Sequence, residues 1–358
     1  MSTTELHQQL KDRFGVEASD DRVVTAGAAG ALCLVATTIL FLLGSQFTAI
    51  PLAGFLFTVG YGLWNHQATT AKALTFLATI ATGAILALIT VYLIIEALPA
   101  MREMGLAMFT ETSAPMWRTR GEEVYSLVPM MWGTLVTTIL AMLIAGPLGV
   151  AGALFISEIA PDAVREIVKP AVETLAGIPS IVYGFIGFTI LNDYMMENLE
   201  LPTSGSLVIV GLVVGLMSLP TVVSVAEDAI ASVPESMKSG SLALGTTDWQ
   251  TIKSITIPAA FSGVSAAVLL GVGRAVGETM AATVILGHAQ RLPDPLYDVF
   301  GNTETLTSLI ASQYGVASGT HMSALFAAGV VLFVSVTVLS IGSQYIERRM
   351  KHQLQGES

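Results

Sequence analysis

Leu269-Leu270-Gly271-Val272-Gly273-Arg274-Ala275-Val276-Gly277-Glu278-Thr279-Met280-Ala281 sets an arginine and a carboxylate inside an apolar run over residues 258–288. A bilayer crossing takes roughly 20 apolar residues, and this run is long enough. Central placement of an arginine costs about 2.5–3.5 kcal/mol on insertion scales, so such a residue faces protein interior or an aqueous path. The rest of the chain has the matching composition: 358 residues, 53% hydrophobic and 12% charged, with mean hydropathy +0.70. Soluble domains carry about 25% charged residues. This is therefore an integral membrane protein, and the absence of an alternating ten-residue pattern selects helices over a barrel.

Outward from that run, similar stretches predict about eight transmembrane helices in an all-α polytopic bundle. They fall at residues 23–44, 47–64, 73–95, 128–157, 174–192, 204–226, 258–288 and 323–346. Gly44, Ser45 and Gln46 are the only hinge in the charge-free stretch from Val23 to Thr70. The expected divisions are an N-terminal segment 1–22, N-terminal helices 23–98, an extracytoplasmic loop 99–127, a transmembrane core 128–346 with a cytoplasmic loop 227–257, and a tail 347–358. With both termini in the cytoplasm, 11 of the 16 basic residues lie on that side and four on the other, the remaining one being Arg274. That bias sets the expected orientation in a cell membrane. Residues 1–21 are polar and mixed in charge, unlike a cleaved secretory signal.

The net charge of -11 disfavours a nucleic-acid partner. Cys33 is single and sits in an apolar run, so no disulfide forms within the chain. His7, His66, His288, His321 and His352 lack metal-ligand spacing, so neither a metal nor a cofactor is expected.

In the loop 227–257, Pro234 suits a helix start, Gly245 a left-handed helix end, and Thr247 or Asp248 a new cap. Two short amphipathic helices broken at Gly245 are either a docking knob for a soluble partner or a plain connector. The spacing is a glycine, nine residues, then Ile255-Thr256-Ile257-Pro258. It resembles the loop by which ABC importer permeases engage their ATPase subunit. That family has an E-A-A triplet before the glycine, whereas this chain has Ser239-Gly240-Ser241, and Glu235, one turn upstream, is the candidate substitute for the glutamate. The resemblance implies ATPase coupling through Glu235, Ser239, Gly240, Leu244, Gly245, Ile255 and Pro258.

Ala176-Gly177-Ile178-Pro179-Ser180-Ile181-Val182-Tyr183-Gly184, Gly273–Ala281 and Met108-Phe109-Thr110 extend this likeness. Over roughly residues 100–350 the chain resembles the permease subunits of the phosphate-specific ABC importer, and the PstC-type more than the PstA-type. The resemblance implies a membrane-spanning permease of an ATP-driven phosphate importer. Its partners would be a second, PstA-type permease, ATPase subunits and an extracytoplasmic phosphate-binding protein. The alternative is a permease for another oxyanion such as sulfate or molybdate, or a secondary anion transporter. The chain has no G-x-x-x-x-G-K-[ST] loop and is not expected to be an enzyme, so ATP hydrolysis falls to a partner.

Arg274, Glu278 and the adjoining Thr279 are the expected pathway residues. Arg274 and Glu278, four apart, would share a helix face, so a structural ion pair competes with a role in anion passage. Guanidinium matches phosphate oxygens, and Glu278 is suited to accept the O–H of hydrogen phosphate, which sulfate lacks. Gly177, Pro179 and Ser180 form either a gate or only a helix break. The apolar Leu306–Ile310 segment reads as a re-entrant lid or a surface helix.

Overall fold

The computed structural model describes residues 21–199 and 205–354. Most of the expected N-terminal segment and the end of the tail lie outside them. Among the described residues the chain is all-α apart from a two-residue β-ladder. Seven helices are long and apolar enough to cross a membrane, or eight if one bent pair counts as a span. The chain divides into two compact units, one ending at Val91 and the other starting at Tyr92.

The first unit begins with α1 (Asp21–Leu42), turns at Gly44 and Ser45 through a short 3-10 helix (Gln46–Thr48), and returns as α2 (Ala49–Asn65). Ser45 Oγ accepts from the Phe47 N–H and caps the turn. Lipid chains are as apolar as leucine, so packing rests on close approach of small residues. Cβ atoms on Gly30 and Gly54 would come within 2.9 Å of Thr58 and Cys33, so α1 and α2 touch closely. α3 (Gln67–Met104) follows.

The second unit continues with a short α4 (Ala107–Thr110) and the antiparallel strands β1 (Trp117–Arg118) and β2 (Val124–Tyr125). α5 (Val128–Leu154) runs on into a π-helical turn, Phe155–Ile159. α6 (Asp162–Ala176) is strongly amphipathic, and an 88° bend separates it from α7 (Ser180–Ile186), a second π-turn (Gly187–Asn192) and α8 (Asp193–Leu199). The run expected as one span over 174–192 is thus broken at Gly177–Pro179. Its charges explain why: Asp162, Arg165, Glu166, Lys169 and Glu173 hold α6 to a polar boundary while α7 enters the apolar layer.

α9 (Leu207–Ala231) is the central post, with Ser206 Oγ accepting from the Ile209 N–H at its start. It runs five residues past the expected span into the region read as loop. A Cβ on Gly215 would lie 3.0 Å from the Ala141 carbonyl of α5, so these two backbones are in contact. Then come α10 (Glu235–Ala243), α11 (Asp248–Thr251), a π-turn (Ile252–Thr256) and α12 (Ile257–Gly277). The chain ends with α13 (Met280–Ile285), α14 (Leu306–Gln313) and α15 (Gly319–Leu354). α14 is buried at Leu306, Ser308 and Leu309 and packs with α5 and α15, so of the two readings of this segment the surface helix is corrected: it is an internal one.

Candidate functional site

Pro258 occupies the first turn of α12, where its missing N–H costs nothing. The π-turn joins α11 to α12, so Asp248–Gly277 is one rod of 30 residues. At 1.5 Å per residue it carries Asp248 and Arg274 about 39 Å apart along its axis.

The expected continuous helix through Glu278 is corrected here: α12 stops at Gly277, and Glu278 is extended, with ψ 123°. Local bonds satisfy the groups freed by the break. Glu278 Oε1 accepts from the Ala281 N–H (3.0 Å), Thr279 Oγ1 donates to the Gly277 carbonyl (3.1 Å), and Thr307 Oγ1 of α14 donates to the Glu278 carbonyl (2.7 Å). Irregular backbone at membrane depth is tolerated only where protein or a cavity supplies such partners. Thr134, Thr137, Thr305 and Thr307 line a small recess with Glu278.

With the helix broken, the four-residue spacing no longer stacks Arg274 on Glu278. Arg274 Nε donates instead to the Met217 carbonyl of α9 (3.0 Å), near Pro220, which interrupts the backbone ladder of that helix. Among the described residues no ion pair joins Arg274 to Glu278, and the two terminal guanidinium nitrogens have no partner. Arg274 is exposed on the isolated chain. What the arrangement offers is a delocalised cation with two free donor edges on the last turn of α12 and, beyond the break, a half-buried carboxylate already occupied on one oxygen.

The expected gate segment forms the bend between α6 and α7, and it is α7 beyond it that meets α13 after the break. Gly177 caps α6, Pro179 precedes α7 and Ser180 opens it. Tyr183 Oη donates to the Leu175 carbonyl at the end of α6 (3.2 Å), which ties α7 back across the bend. A Cβ on Gly184 would sit 2.8 Å from Ala281 Cα, so α7 and α13 meet backbone to backbone. Gly273 and Gly277, by contrast, face open space within the chain.

The residues expected to couple to the ATPase lie at the far end of the rod. Pro234 precedes α10, Gly245 has φ +86°, and Thr247 makes a capping box with Gln250. Glu235, Ser239, Gly240, Leu244 and Gly245 are exposed on this knob, with Leu244 at 88% and neighbouring Trp249 at 62%, whereas Ile255 and Pro258 belong to its stem.

Sequence reasoning missed several polar ties. Ser241, Thr246 and Thr251 form a hydroxyl triangle with edges of 2.8, 2.9 and 3.1 Å. Lys238 pairs with Glu158 at 2.7 Å and Lys169 with Glu227 at 2.5 Å. Glu304, wholly buried, accepts from Gln290 Nε2 (3.1 Å) and Ser312 Oγ (2.8 Å) and lies 3.0 Å from His288 Nδ1. The ion pairs link residues 80 and 58 positions apart, beyond any local pattern. Among the described residues no cluster of three His, Cys, Asp or Glu is arranged to hold a metal.

Residues 145–352 match the family described as binding-protein-dependent transport system inner membrane component. The probable ABC transporter permease protein YqgH of Bacillus subtilis is 37% identical over 266 residues, which cover 74% of this chain and 85% of that one. The phosphate transport system permease protein PstC of Haemophilus influenzae is 31% identical, covering 78% and 93% of the two chains. The probable phosphate transport system permease protein PstC of Methanocaldococcus jannaschii is 32% identical, covering 78% and 94%. Among solved structures, a bacterial alginate ABC transporter superposes with a TM-score of 0.54 at 16% identity, covering 78% of this chain and 96% of that one, a likeness of fold.

Proposed function

The chain belongs to the family of binding-protein-dependent transport system inner membrane components, and on that premise we infer that it is the permease subunit of an ATP-driven inorganic phosphate importer. It is a multi-pass inner-membrane transport subunit. It works in a complex with ATPase subunits and an extracytoplasmic binding protein. The observation that carries the mechanism is the single rod Asp248–Gly277, with a knob exposing Leu244 and Trp249 at one end and Arg274 at the other.

In this reading a PstA-type permease completes the pathway, both termini are cytoplasmic, and ATP hydrolysis occurs in the ATPase subunits. The ATPase grips α10 and the turn at Gly245 through Leu244, with Glu235, Ser239 and Gly240 on the same surface. Ile255 and Pro258 carry the displacement into the stem. The rod then moves Arg274 relative to α9 and the break at Glu278–Thr279, while Gly177, Pro179 and Ser180 let α7 swing on α6. Alternating access follows from the two motions together.

Arg274 presents its free terminal nitrogens to two phosphate oxygens, a geometry that lysine cannot reproduce. Glu278 keeps one carboxylate oxygen outside its cap and receives the O–H of hydrogen phosphate there. An anion without a proton meets only repulsion at that oxygen, which gives discrimination against sulfate.

The test is purification in mild detergent with identification of the copurifying subunits, followed by labelled phosphate uptake in vesicles with and without ATP. ATP-dependent uptake that excess sulfate leaves intact supports the reading. Uptake without ATP, or suppression by sulfate or molybdate at equal concentration, overturns it.

A further inference from the structure

A polar cavity of about 430 Å³ opens beneath the knob, lined by Glu158, Arg165, Glu227, Glu235, Lys238 and Asp248. Charged groups gathered at a membrane boundary are ordinarily solvated and weakly coupled. Here Lys238 of α10 and Glu158 of the π-turn after α5 are 14% and 9% exposed and 2.7 Å apart. The same π-turn is held from its other side. Arg165 of α6 donates from Nε to the Ile156 carbonyl and from Nη2 to the Ser157 carbonyl, both at 2.7 Å. One turn along α6, Lys169 pairs with Glu227 of α9, itself 8% exposed. A charge-assisted bond between largely buried partners is directional and costly to break, because the group left behind stays buried and uncompensated.

The knob is also stiff within itself. The hydroxyl triangle of Ser241, Thr246 and Thr251 fastens α10 to α11 across the turn at Gly245. A load on α10 therefore has two exits. One runs through α11 into the rod that ends at Arg274. The other runs through Lys238 to Glu158, across Arg165 into α6, and along α6 to the bend at Gly177–Pro179.

We propose that Lys238 and Glu158 are positioning residues of the transport cycle, forming a strut that makes the coupling knob and the amphipathic helix α6 move as one body. Opening of the gate segment is thereby tied to the same stroke that moves Arg274. Arg165 fixes the far end of the strut, and Lys169–Glu227 keeps α6 against α9 while it moves. The cavity lies between the knob, the π-turn and α6, at the residues the strut joins. The strut rests on the importer reading.

The test uses the assembled transporter in liposomes with its binding protein. It compares the original chain with Glu158→Gln, Lys238→Met and the exchange Glu158→Lys with Lys238→Glu. Two quantities are read: phosphate taken up per ATP hydrolysed, and stimulation of ATPase activity by the binding protein. Each single replacement is expected to leave the complex intact by size exclusion and to lower uptake per ATP about tenfold, the scale of a lost charge-assisted hydrogen bond. The exchange is expected to restore it. Singles within about twofold of the original, or an exchange that fails to rescue, overturn the strut.

A second measurement needs no disruption of the pair. Spin labels at Ser236 and Glu173, both exposed, in a Cys33→Ser background, report the knob-to-α6 distance. The strut requires that distance to stay the same with and without ATP, even where single replacements fail to assemble, and a change on nucleotide binding overturns it. ATPase stimulation is read apart from phosphate, so failure of the substrate reading and failure of the strut are distinguishable.

Discussion

Gly184→Ala adds a single methyl where α7 meets α13. Its Cβ would lie 2.8 Å from Ala281 Cα, 3.2 Å from Val284 Cβ and 3.3 Å from the Ala281 carbonyl oxygen. Carbon atoms rest at about 3.5–4.0 Å, so the two helices must part by roughly 0.7 Å or more. The nearest obstacle is backbone in a helix that Glu278 caps and that packs on α7 and α9 in the same core. No flexible side chain can turn aside. Overpacking of this kind costs about 1–3 kcal/mol. Spent against one conformation of the transporter, that shifts its population by roughly 5–150-fold. The assay is ATP-driven phosphate uptake by the reconstituted complex, with thermal unfolding of the purified complex alongside. Uptake should fall and the unfolding temperature should drop. Gly83→Ala in α3, where an added Cβ meets nothing within 4 Å, should change neither. If Gly184→Ala transports and unfolds like the original chain, the gate segment does not bear on α13, and the link between Gly177–Pro179 and the Glu278 break is wrong.

Gly245→Ala forces a side chain onto φ +86°, at about 1–2 kcal/mol, and should weaken copurification of the ATPase subunits while leaving the permease folded. Glu278→Gln keeps the oxygen that caps Ala281 and removes the charge, so it should relax discrimination between phosphate and sulfate in competition assays at normal assembly. Glu278→Ala also loses the cap, worth about 1 kcal/mol, and should lower thermal stability as well. Gly133→Ala drives a methyl into the Glu304 carbonyl and should loosen the segment 291–313 from α5, seen as faster proteolysis between Arg291 and Gln313.

Much of this architecture is written locally. Apolar runs without charge mark the spans, and Pro234, Gly245 and Thr247 mark the knob because each residue type acts within its own turn. The break after Gly277 is not legible in the same way. Ala275 through Ala281 stays apolar enough to continue a helix, and the Glu278 carbonyl at the break is met by Thr307, 29 residues on. The glycine itself was the local signal, since Gly is favoured at helix ends. Tyr183 and Gly184 stood inside a stretch already singled out, yet their partners Leu175 and Ala281 follow only from the bend that folds α7 back. Lys238 and Glu158 illustrate the harder case: each looks like an ordinary boundary charge until the fold buries them together.

Arg274→Ala, set beside Arg274→Lys, tests the pathway most directly, in reconstituted transporter with labelled phosphate, the binding protein and ATP. The guanidinium edges are the free donors at the break, so both replacements should lower phosphate uptake by at least about tenfold while assembly and basal ATPase activity persist. Uptake by Arg274→Ala at the rate of the original chain would contradict a phosphate path past this residue.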